Sequence, residues 1–159
     1  MKKVLPNFFL RSKQAGFTLI ELLVVIGILA VLLAITLIAI NPARQFAQAN
    51  NTQRASDVSA ILNAVHQYMA DNNGVPPAGI TNAVLNISDT GANLCADLVT
   101  TYLAALPRDP QAAVAGSVAE ADCAGAYDTG YTIVSSVANN RITVAAPTAE
   151  LGASISATR

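Results

Sequence analysis

One charged side chain stands out because it lies inside an otherwise apolar segment. Glu21 is the single charged residue of the 24-residue run at positions 17–40. On membrane-insertion scales a carboxylate at the centre of a bilayer costs about 2.5–3.5 kcal/mol, so such a residue usually has a partner or a function. The alternative is a carboxylate that reaches the membrane surface or is protonated. Glu21 is therefore the first candidate for a functional residue.

The other residue types that support catalysis or zinc binding form no recognisable motif. His66 is the single histidine, and no second ligand-type residue lies at helical spacing from it, so we expect it at the surface or at the edge of the core. The sequence has no arrangement of serine, histidine and aspartate typical of a catalytic triad around this histidine. It also has no glycine-rich phosphate-binding loop and no cysteine or histidine residues at the spacing of zinc ligands. The sequence therefore predicts that the protein is not an enzyme.

Carboxylates in the C-terminal half offer a second kind of chemistry, calcium binding. Their oxygen atoms are the ligands that this ion prefers, but no loop of the Asp-x-Asp-x-Asp-Gly type is present. Carboxylates in loops are more often simply solvated. We therefore expect no cofactor, with calcium as the alternative, and the candidate ligands would be Asp89, Asp97, Asp109, Asp122 and Asp128.

The apolar run that carries Glu21 is long enough to cross a membrane as a helix. At about 1.5 Å per residue it would span roughly 36 Å, against about 30 Å for the hydrocarbon core. Four of the nine basic residues precede it, with no acid among the first sixteen positions. A basic stretch that precedes a membrane span stays in the cytoplasm. We therefore expect a single-pass protein of the bacterial inner membrane whose C-terminal part is translocated.

The composition of the rest of the chain restricts its partners. Only 12% of the 159 residues are charged, about half the usual share for a soluble domain. From Phe17 onward five basic residues face ten acidic ones, a net side-chain charge of −5. Phosphate binding needs clustered lysine and arginine, so we do not expect nucleic acid to be the main partner.

Two ordinary explanations account poorly for the apolar run. A cleavable secretory signal has an apolar region of about 7–15 residues followed by a small-x-small cleavage site, whereas this run is longer and is followed by Asn41-Pro42. A plain membrane anchor explains the length and the flanking charge but not Glu21.

Residues 13–22, which read KQAGFTLIEL, resemble the type IV prepilin motif, also called the class III signal peptide. The match comprises a short basic leader, a glycine, a phenylalanine, and a glutamate four residues after that phenylalanine. The resemblance implies that residues 1–16 are a leader, which prepilin peptidase removes by cutting between Gly16 and Phe17. The same enzyme would methylate the new amino group of Phe17. In a filament, that group would lie beside Glu21 of a neighbouring subunit.

Two helical segments are expected after the leader. Residues 17–42 would form the transmembrane helix, which becomes the core of the filament, and Asn41-Pro42 predicts a kink. Residues 43–74 predict an amphipathic helix that ends at Asn73-Gly74. Its apolar stripe consists of Val58, Ile61, Leu62, Val65, Tyr68 and Met69. Polar residues predicted to lie mostly off this stripe are Arg54, Asp57, Asn63, Gln67 and Asp71.

Residues 75–159 predict a small head domain. Val84, Leu85 and Ile87 suggest a brief strand or an extended loop, and the leucines between positions 94 and 106 suggest a short second helix. The β-branched runs at 131–137 and 141–146 read as a hairpin closed at Asn139-Asn140. This hairpin and the Leu-Pro-Arg-Asp-Pro stretch at 106–110 are similar to small pilins and type II secretion pseudopilins. The expected fold is α+β and pilin-like, with a long helix packed on a small antiparallel sheet.

The two cysteines, Cys95 and Cys123, both lie in the part expected to be translocated. An even pair in an oxidising compartment usually forms a disulfide, which we favour over two free thiols or a metal pair. In the chain-entropy model, closing this loop contributes roughly 3–4 kcal/mol. The disulfide would join the short second helix to the Ala/Gly-rich loop 111–130.

The leading hypothesis is a type IV pilin, a structural subunit that polymerises through its N-terminal helix into an extracellular filament. Its partners would be copies of itself, prepilin peptidase, the pilus assembly machinery and the membrane, and by resemblance the filament would serve adhesion, motility or DNA uptake. Two alternatives stay open. One is a type II secretion pseudopilin in a periplasmic pseudopilus, and the other is a membrane-anchored extracellular binding module.

Overall fold

The computed structural model describes residues 16–159, and the predicted leader apart from Gly16 lies outside the described residues. The chain divides into two compact units, one that ends at Asn41 and one that runs from Pro42 to Arg159. Residues 16–18 are not helical, and helix α1 covers Leu19–Ile40.

The first helix ends where the sequence predicts a disruption. Asn41 is in the left-handed conformation, with φ 44° and ψ 81°, which asparagine adopts more readily than most residues. The α region is disfavoured for a residue that precedes proline, and Pro42 itself suits the first position of a helix because its missing N–H would have no partner there. The chain therefore ends one helix at Ile40 and begins another at Pro42 instead of bending a continuous one.

Helix α2 covers Pro42–Asp71 and ends as predicted. Asn73 and Gly74 have φ 56° and 85°, and the Gly74 N–H donates to the carbonyl of Met69 at 2.7 Å. This left-handed cap satisfies a carbonyl that the end of the helix would otherwise leave unpaired.

The predicted apolar stripe of α2 is largely correct, but the structure buries two charged residues that were predicted to lie mostly off it. Val58, Ile61 and Val65 are fully buried, while Tyr68 and Met69 are partly buried against the core. Arg54 and Asp57, predicted to lie mostly off the stripe, are 0% and 5% exposed. Spacings of three and four residues place Arg54 on the same helix face as Val58 and Ile61, and polar partners elsewhere in the head make its burial tolerable.

The second unit contains a four-stranded antiparallel sheet and a two-stranded one. The elements after α2 are β1 (Leu85–Ser88), α3 (Cys95–Leu98), β2 (Leu106–Pro107), β3 (Ser117–Val118), a 3₁₀ turn (Glu120–Asp122), β4 (Asp128–Ser135), β5 (Ile142–Ala146) and β6 (Ile155–Thr158). The larger sheet has the order β1-β4-β5-β6, and β2 pairs with β3. A helix beside a small antiparallel sheet confirms the predicted α+β fold.

The predicted hairpin is present and consists of β4 and β5. Its register pairs Ser135 with Ile142, and Asn140 in the connecting turn has φ 54°. Strand β6, which the sequence analysis did not identify, extends this hairpin by pairing with β5. Alternation along β5 buries Ile142, Val144 and Ala146, as expected for a strand with one face on the core.

The predicted second helix is shorter than the leucine pattern suggested. Helix α3 is only four residues long; Thr100 then adopts φ 72°, and Leu106 belongs to β2 instead of the helix. Leu98 and Leu106 are both fully buried, so the leucines do contribute to the core, but from different elements. An apolar run of this kind fixes burial without fixing the backbone conformation.

The core of the head lies between α2 and the sheet, and strands β5 and β6 pack directly against the helix. Fully buried side chains from all parts of the unit meet there, namely Ile61, Val65, Ile87, Leu94, Leu98, Leu106, Val118, Tyr131 and Val144.

Candidate functional site

The predicted cleavage position lies in exposed, non-helical backbone. Gly16, Phe17 and Thr18 precede α1, and Phe17 is 83% exposed. A Cβ atom built on Gly16 meets no atom of the described chain within 4 Å, and its φ is not in the left-handed range. The described fold therefore makes no demand for glycine at this position, so any such demand comes from a partner.

Thr18 and Glu21 form a reciprocal cap at the start of α1. The Glu21 N–H donates to Thr18 Oγ1 at 3.2 Å, while Glu21 Oε2 accepts from the Thr18 N–H and from its hydroxyl, each at 2.9 Å. This capping box satisfies two backbone donors that a helix start leaves unpaired. The Glu21 carboxylate thus has hydrogen-bond donors within its own chain.

Sequence analysis identified Gly16, Phe17 and Glu21 but did not assign a role to Thr18. The Thr-x-x-Glu spacing directly before an apolar run is itself a capping-box signature. The sequence therefore contains the signal that identifies Thr18 as the cap of α1.

The surface of α1 carries an apolar groove. In the part of the chain that the structure describes, no residue of this helix is buried. Gly27 has no side chain and so leaves an indentation in the helix surface, and a Cβ added there would meet no described atom within 4 Å. The groove has a volume of about 410 Å³ and is lined by Leu23, Val24, Gly27, Ile28, Val31 and Leu32. A glycine inside a helix costs about 1 kcal/mol relative to alanine, and close approach of another helix is the usual compensation.

Cys95 and Cys123 form a disulfide, the pairing that the sequence favoured, with their Cα atoms 5.3 Å apart. The bond joins α3, which also carries Asp97, to the residue that follows the 3₁₀ turn. Asp122 in that turn accepts from the N–H of Ala119 at 3.0 Å. The disulfide therefore restrains a segment of the head that has little regular secondary structure.

A buried arginine links α2 to two distant loops. Arg54 Nε and Nη2 donate to the two oxygens of Asp109 at 2.7 and 3.0 Å. Its Nη1 donates to Glu150 and to Asn51, each at 3.0 Å, and Nη2 also reaches Gln111 at 3.1 Å. Five N–H donors thus meet five acceptor oxygens, which is the full capacity of a guanidinium.

The contacts around Arg54 favour the charged forms of this arginine and of its two carboxylate partners, Asp109 and Glu150. Burial alone would raise the pKa of Asp109, but hydrogen bonds from Arg54, Thr148 and a backbone N–H outweigh it and hold that pKa below its ordinary value. Hydrogen bonds from Asn50 and then Arg54 likewise lower the pKa of Glu150. The hydrogen bond to Asp109 raises the pKa of Arg54. A buried arginine whose N–H donors all have acceptors fits a structural role.

A second buried polar contact lies one turn further along α2. The Tyr131 hydroxyl donates to Asp57 Oδ2 at 2.7 Å, and Gln53 Nε2 donates to the other oxygen at 2.7 Å. Burial, reinforced by the neighbouring carboxylate, raises the pKa of Tyr131. Arg54 and Asp57, which were predicted to lie mostly off the apolar stripe, therefore both attach the helix to the rest of the head.

The aspartates considered for calcium do not converge on one site. Asp89 and Asp128 line a cavity of about 370 Å³ together with Arg108, whereas Asp109 is paired with Arg54. Within residues 16–159, no group of three or more His, Cys, Asp or Glu side chains is placed to hold a metal ion. The expectation of no cofactor, with calcium as the alternative, therefore stays a prediction.

The single histidine lies at the edge of the core. His66 is half-buried, and its Nε2 is buried without a hydrogen-bond partner among the described atoms. This position agrees with the location expected from the sequence, at the surface or at the edge of the core.

Comparisons with known proteins agree with this arrangement. A family model described as the prokaryotic N-terminal methylation motif matches residues 11–37. A type II secretion system core protein G from Aeromonas hydrophila is 32% identical over 102 residues, which cover 63% of this chain and 69% of that protein. No solved structure matches significantly. Helix α1 is long and apolar enough to cross a membrane, with a mean hydropathy of 3.2 over an 18-residue window. With its capped α1, its methylation motif and its α+β head, the chain belongs to the type IV pilin family, which includes the pseudopilins.

Proposed function

We propose that the protein is the structural subunit of a type IV pilus. Its leader is removed between Gly16 and Phe17, Phe17 is N-methylated, and the chain polymerises through α1. The observation that carries this proposal is the contrast between the two units. The head has its own buried core, whereas α1 is 22 residues of exposed apolar surface in the described chain. Such a surface needs lipid before assembly and copies of itself afterwards.

Removal of the leader would give the mature N-terminus an unusual chemistry. All three lysines, at positions 2, 3 and 13, precede Phe17. After cleavage the α-amino group of Phe17 would therefore be the single primary amine of the chain until it is methylated. In a bundle of α1 helices this cation would pair with Glu21 of a neighbouring copy, which is favourable because opposite charges attract strongly where water is excluded.

The type II secretion pseudopilin is a second candidate, and the similarity to a protein named for that system supports it. Both candidates share processing, methylation and helix-mediated assembly, and they differ in where the filament extends. Long filaments outside the cell that contain this chain would support the pilin. Short assemblies confined to the periplasm, together with a secretion defect in cells that lack the protein, would support the pseudopilin.

Before assembly, we propose, the protein spans the inner membrane once, with its N-terminus in the cytoplasm and its head outside. Its partners would be prepilin peptidase, the assembly machinery and further copies of itself. The predicted leader charges support this orientation, since basic residues that flank a membrane span stay on the cytoplasmic side. The disulfide supports an oxidising compartment for the head.

The test is mass spectrometry of the N-terminal peptide of protein isolated from cell envelopes. We expect a mature start at Phe17, heavier by one methyl group than the unmodified peptide. Gly16→Leu is the control and should accumulate with its leader attached. An N-terminus at Met1 or Lys2 in all the material would refute the filament proposal and favour an anchored binding module.

A further inference from the structure

We propose that Thr18 is a positioning residue for leader cleavage, because its cap keeps the scissile bond outside helix α1. This inference rests on the proposed function, in which prepilin peptidase hydrolyses the Gly16–Phe17 peptide bond. Hydrolysis adds one water across that bond, leaving a carboxylate on Gly16 and an ammonium group on Phe17. The reacting atom is the carbonyl carbon of Gly16, so the environment of that carbonyl controls the reaction.

The backbone changes conformation at Thr18. This residue is extended, with φ −81° and ψ 150°, and α1 begins at Leu19. The Thr18 carbonyl already accepts from the Leu22 N–H at 3.3 Å, as expected of an N-cap residue. The peptide bond between Gly16 and Phe17 thus lies just before the cap, in exposed backbone.

Without the cap, the apolar segment favours a longer helix. The donors at the start of α1 have few other partners in lipid, where an unpaired backbone group costs several kcal/mol. Extending the helix by two or three residues moves the unpaired donors towards the membrane surface. In that longer helix the Gly16 carbonyl would accept from the Ile20 N–H, following the regular i to i+4 pattern. A peptidase would then have to break helical structure before it could approach the scissile carbonyl.

The cap also gives Glu21 a second role that does not depend on its charge. Its Oε2 accepts two hydrogen bonds from Thr18, and a glutamine side chain can accept in the same geometry, since capping boxes use either residue. Glu21→Gln therefore keeps the cap while removing the charge proposed to pair with Phe17 of a neighbour. The substitution separates the processing role of this side chain from its assembly role.

The experiment measures the rate of leader removal from the full-length protein in membranes that contain prepilin peptidase. Thr18→Val removes the hydroxyl at nearly constant shape and should slow cleavage about fivefold, the factor that corresponds to the loss of a typical N-cap. Thr18→Ser and Thr18→Asn restore a capping side chain and should be cleaved at close to the wild-type rate. Glu21→Gln should also be cleaved normally, although its assembly should fail.

The matched control is Thr36→Val, which removes a hydroxyl that bonds only within α1, to the carbonyl of Leu33. It should be cleaved at the wild-type rate. Equal amounts of each full-length variant in the membrane fraction establish that insertion is unchanged.

Two results would overturn the proposal. Wild-type cleavage of Thr18→Val would remove any need for the cap. If Thr18→Asn were cleaved as slowly as the valine variant, the peptidase would be recognising the threonine side chain itself and not the helix cap. Absence of cleavage in the wild-type protein would be a different outcome, since it refutes the proposed function itself.

Discussion

Replacing Arg54 with methionine would test whether the buried ion pair holds α2 on the head. The substitution keeps an unbranched side chain of similar reach but removes all five N–H donors. Asp109 would then keep its charge with a side chain only 2% exposed and without its guanidinium partner. Glu150 is less affected because its side chain is 26% exposed and can regain water.

The expected loss of stability follows from this difference in burial. Removing one partner of a buried, hydrogen-bonded ion pair typically costs about 3–5 kcal/mol, whereas an exposed pair contributes about 0–1 kcal/mol. Asp109 therefore accounts for most of the loss. Since a small domain is stable by only about 5–15 kcal/mol, Arg54→Met should bring the head close to unfolding.

A double variant isolates the charge from the packing. Asp109→Asn has the same shape as aspartate and can still accept from the backbone N–H of Gln111, but it carries no charge. Combined with Arg54→Met it should recover about 0.5–3 kcal/mol relative to the sum of the single losses, the range measured for residues in direct contact.

The dependence on pH has a defined sign. The pKa values of Asp109 and Glu150 are lowered in the folded protein. Their contribution is therefore fully present above the unfolded values, about 3.9 and 4.3, and is lost as the pH falls through the folded ones. In Arg54→Met, acid instead protonates an uncompensated carboxylate. The difference in stability between wild type and variant should shrink between pH 7 and pH 3.

The assay is urea unfolding of the full-length protein in detergent, followed by near-ultraviolet circular dichroism. The chain has no tryptophan, so tyrosines dominate the signal, and Tyr131 in the core is fully buried. A loss below about 1 kcal/mol for Arg54→Met would show that the pair is dispensable. Failure of the double variant to recover any stability would mean that packing, and not charge, explains the loss.

Three further substitutions test other parts of the structure. Cys95→Ser together with Cys123→Ser should lower the stability of the head by roughly 3–4 kcal/mol, because the disulfide spans 28 positions; urea unfolding of the wild type with and without reductant provides the comparison. Gly130→Ala should cost about 1–3 kcal/mol in the same assay, since its φ is 78° and the new Cβ would come within 2.9 Å of Asp109; no change would contradict the observed backbone. Gly27→Leu should fill the groove on α1 and reduce the yield of sheared filaments at an unchanged membrane level, whereas Gly27→Ala should be tolerated; equal yields would exclude close helix packing there.

Local chemistry explains why several elements were predictable. The end of α2 depends on residues next to each other, with Asn73 and Gly74 adopting the left-handed conformation there. The β4–β5 hairpin likewise follows from two β-branched runs joined by asparagines. In both cases the preference of a few adjacent residues and the final structure agree, so the tertiary fold had nothing to override.

Arg54 shows where such reasoning fails. Its charge suggested exposure, although its spacing from Val58 and Ile61 places it on the buried face. Its partners lie 55 and 96 positions away along the chain. The cost of burying a guanidinium depends on whether acceptors meet it in space, and a helical periodicity contains no information about them.

The sequence alone determined the apolar helix, the prepilin motif, the disruption at Asn41-Pro42, the end of α2 and the class of the fold, because each depends on hydrophobicity or on contacts within a few residues. Tertiary structure decided which charged residues are buried, that the leucines after position 94 divide between α3 and β2, and that β6 completes the sheet. These features depend on hydrogen-bond partners and packing surfaces that become neighbours only when the chain folds. Burial of a polar group is tolerated only where distant groups supply the hydrogen bonds that water would otherwise provide.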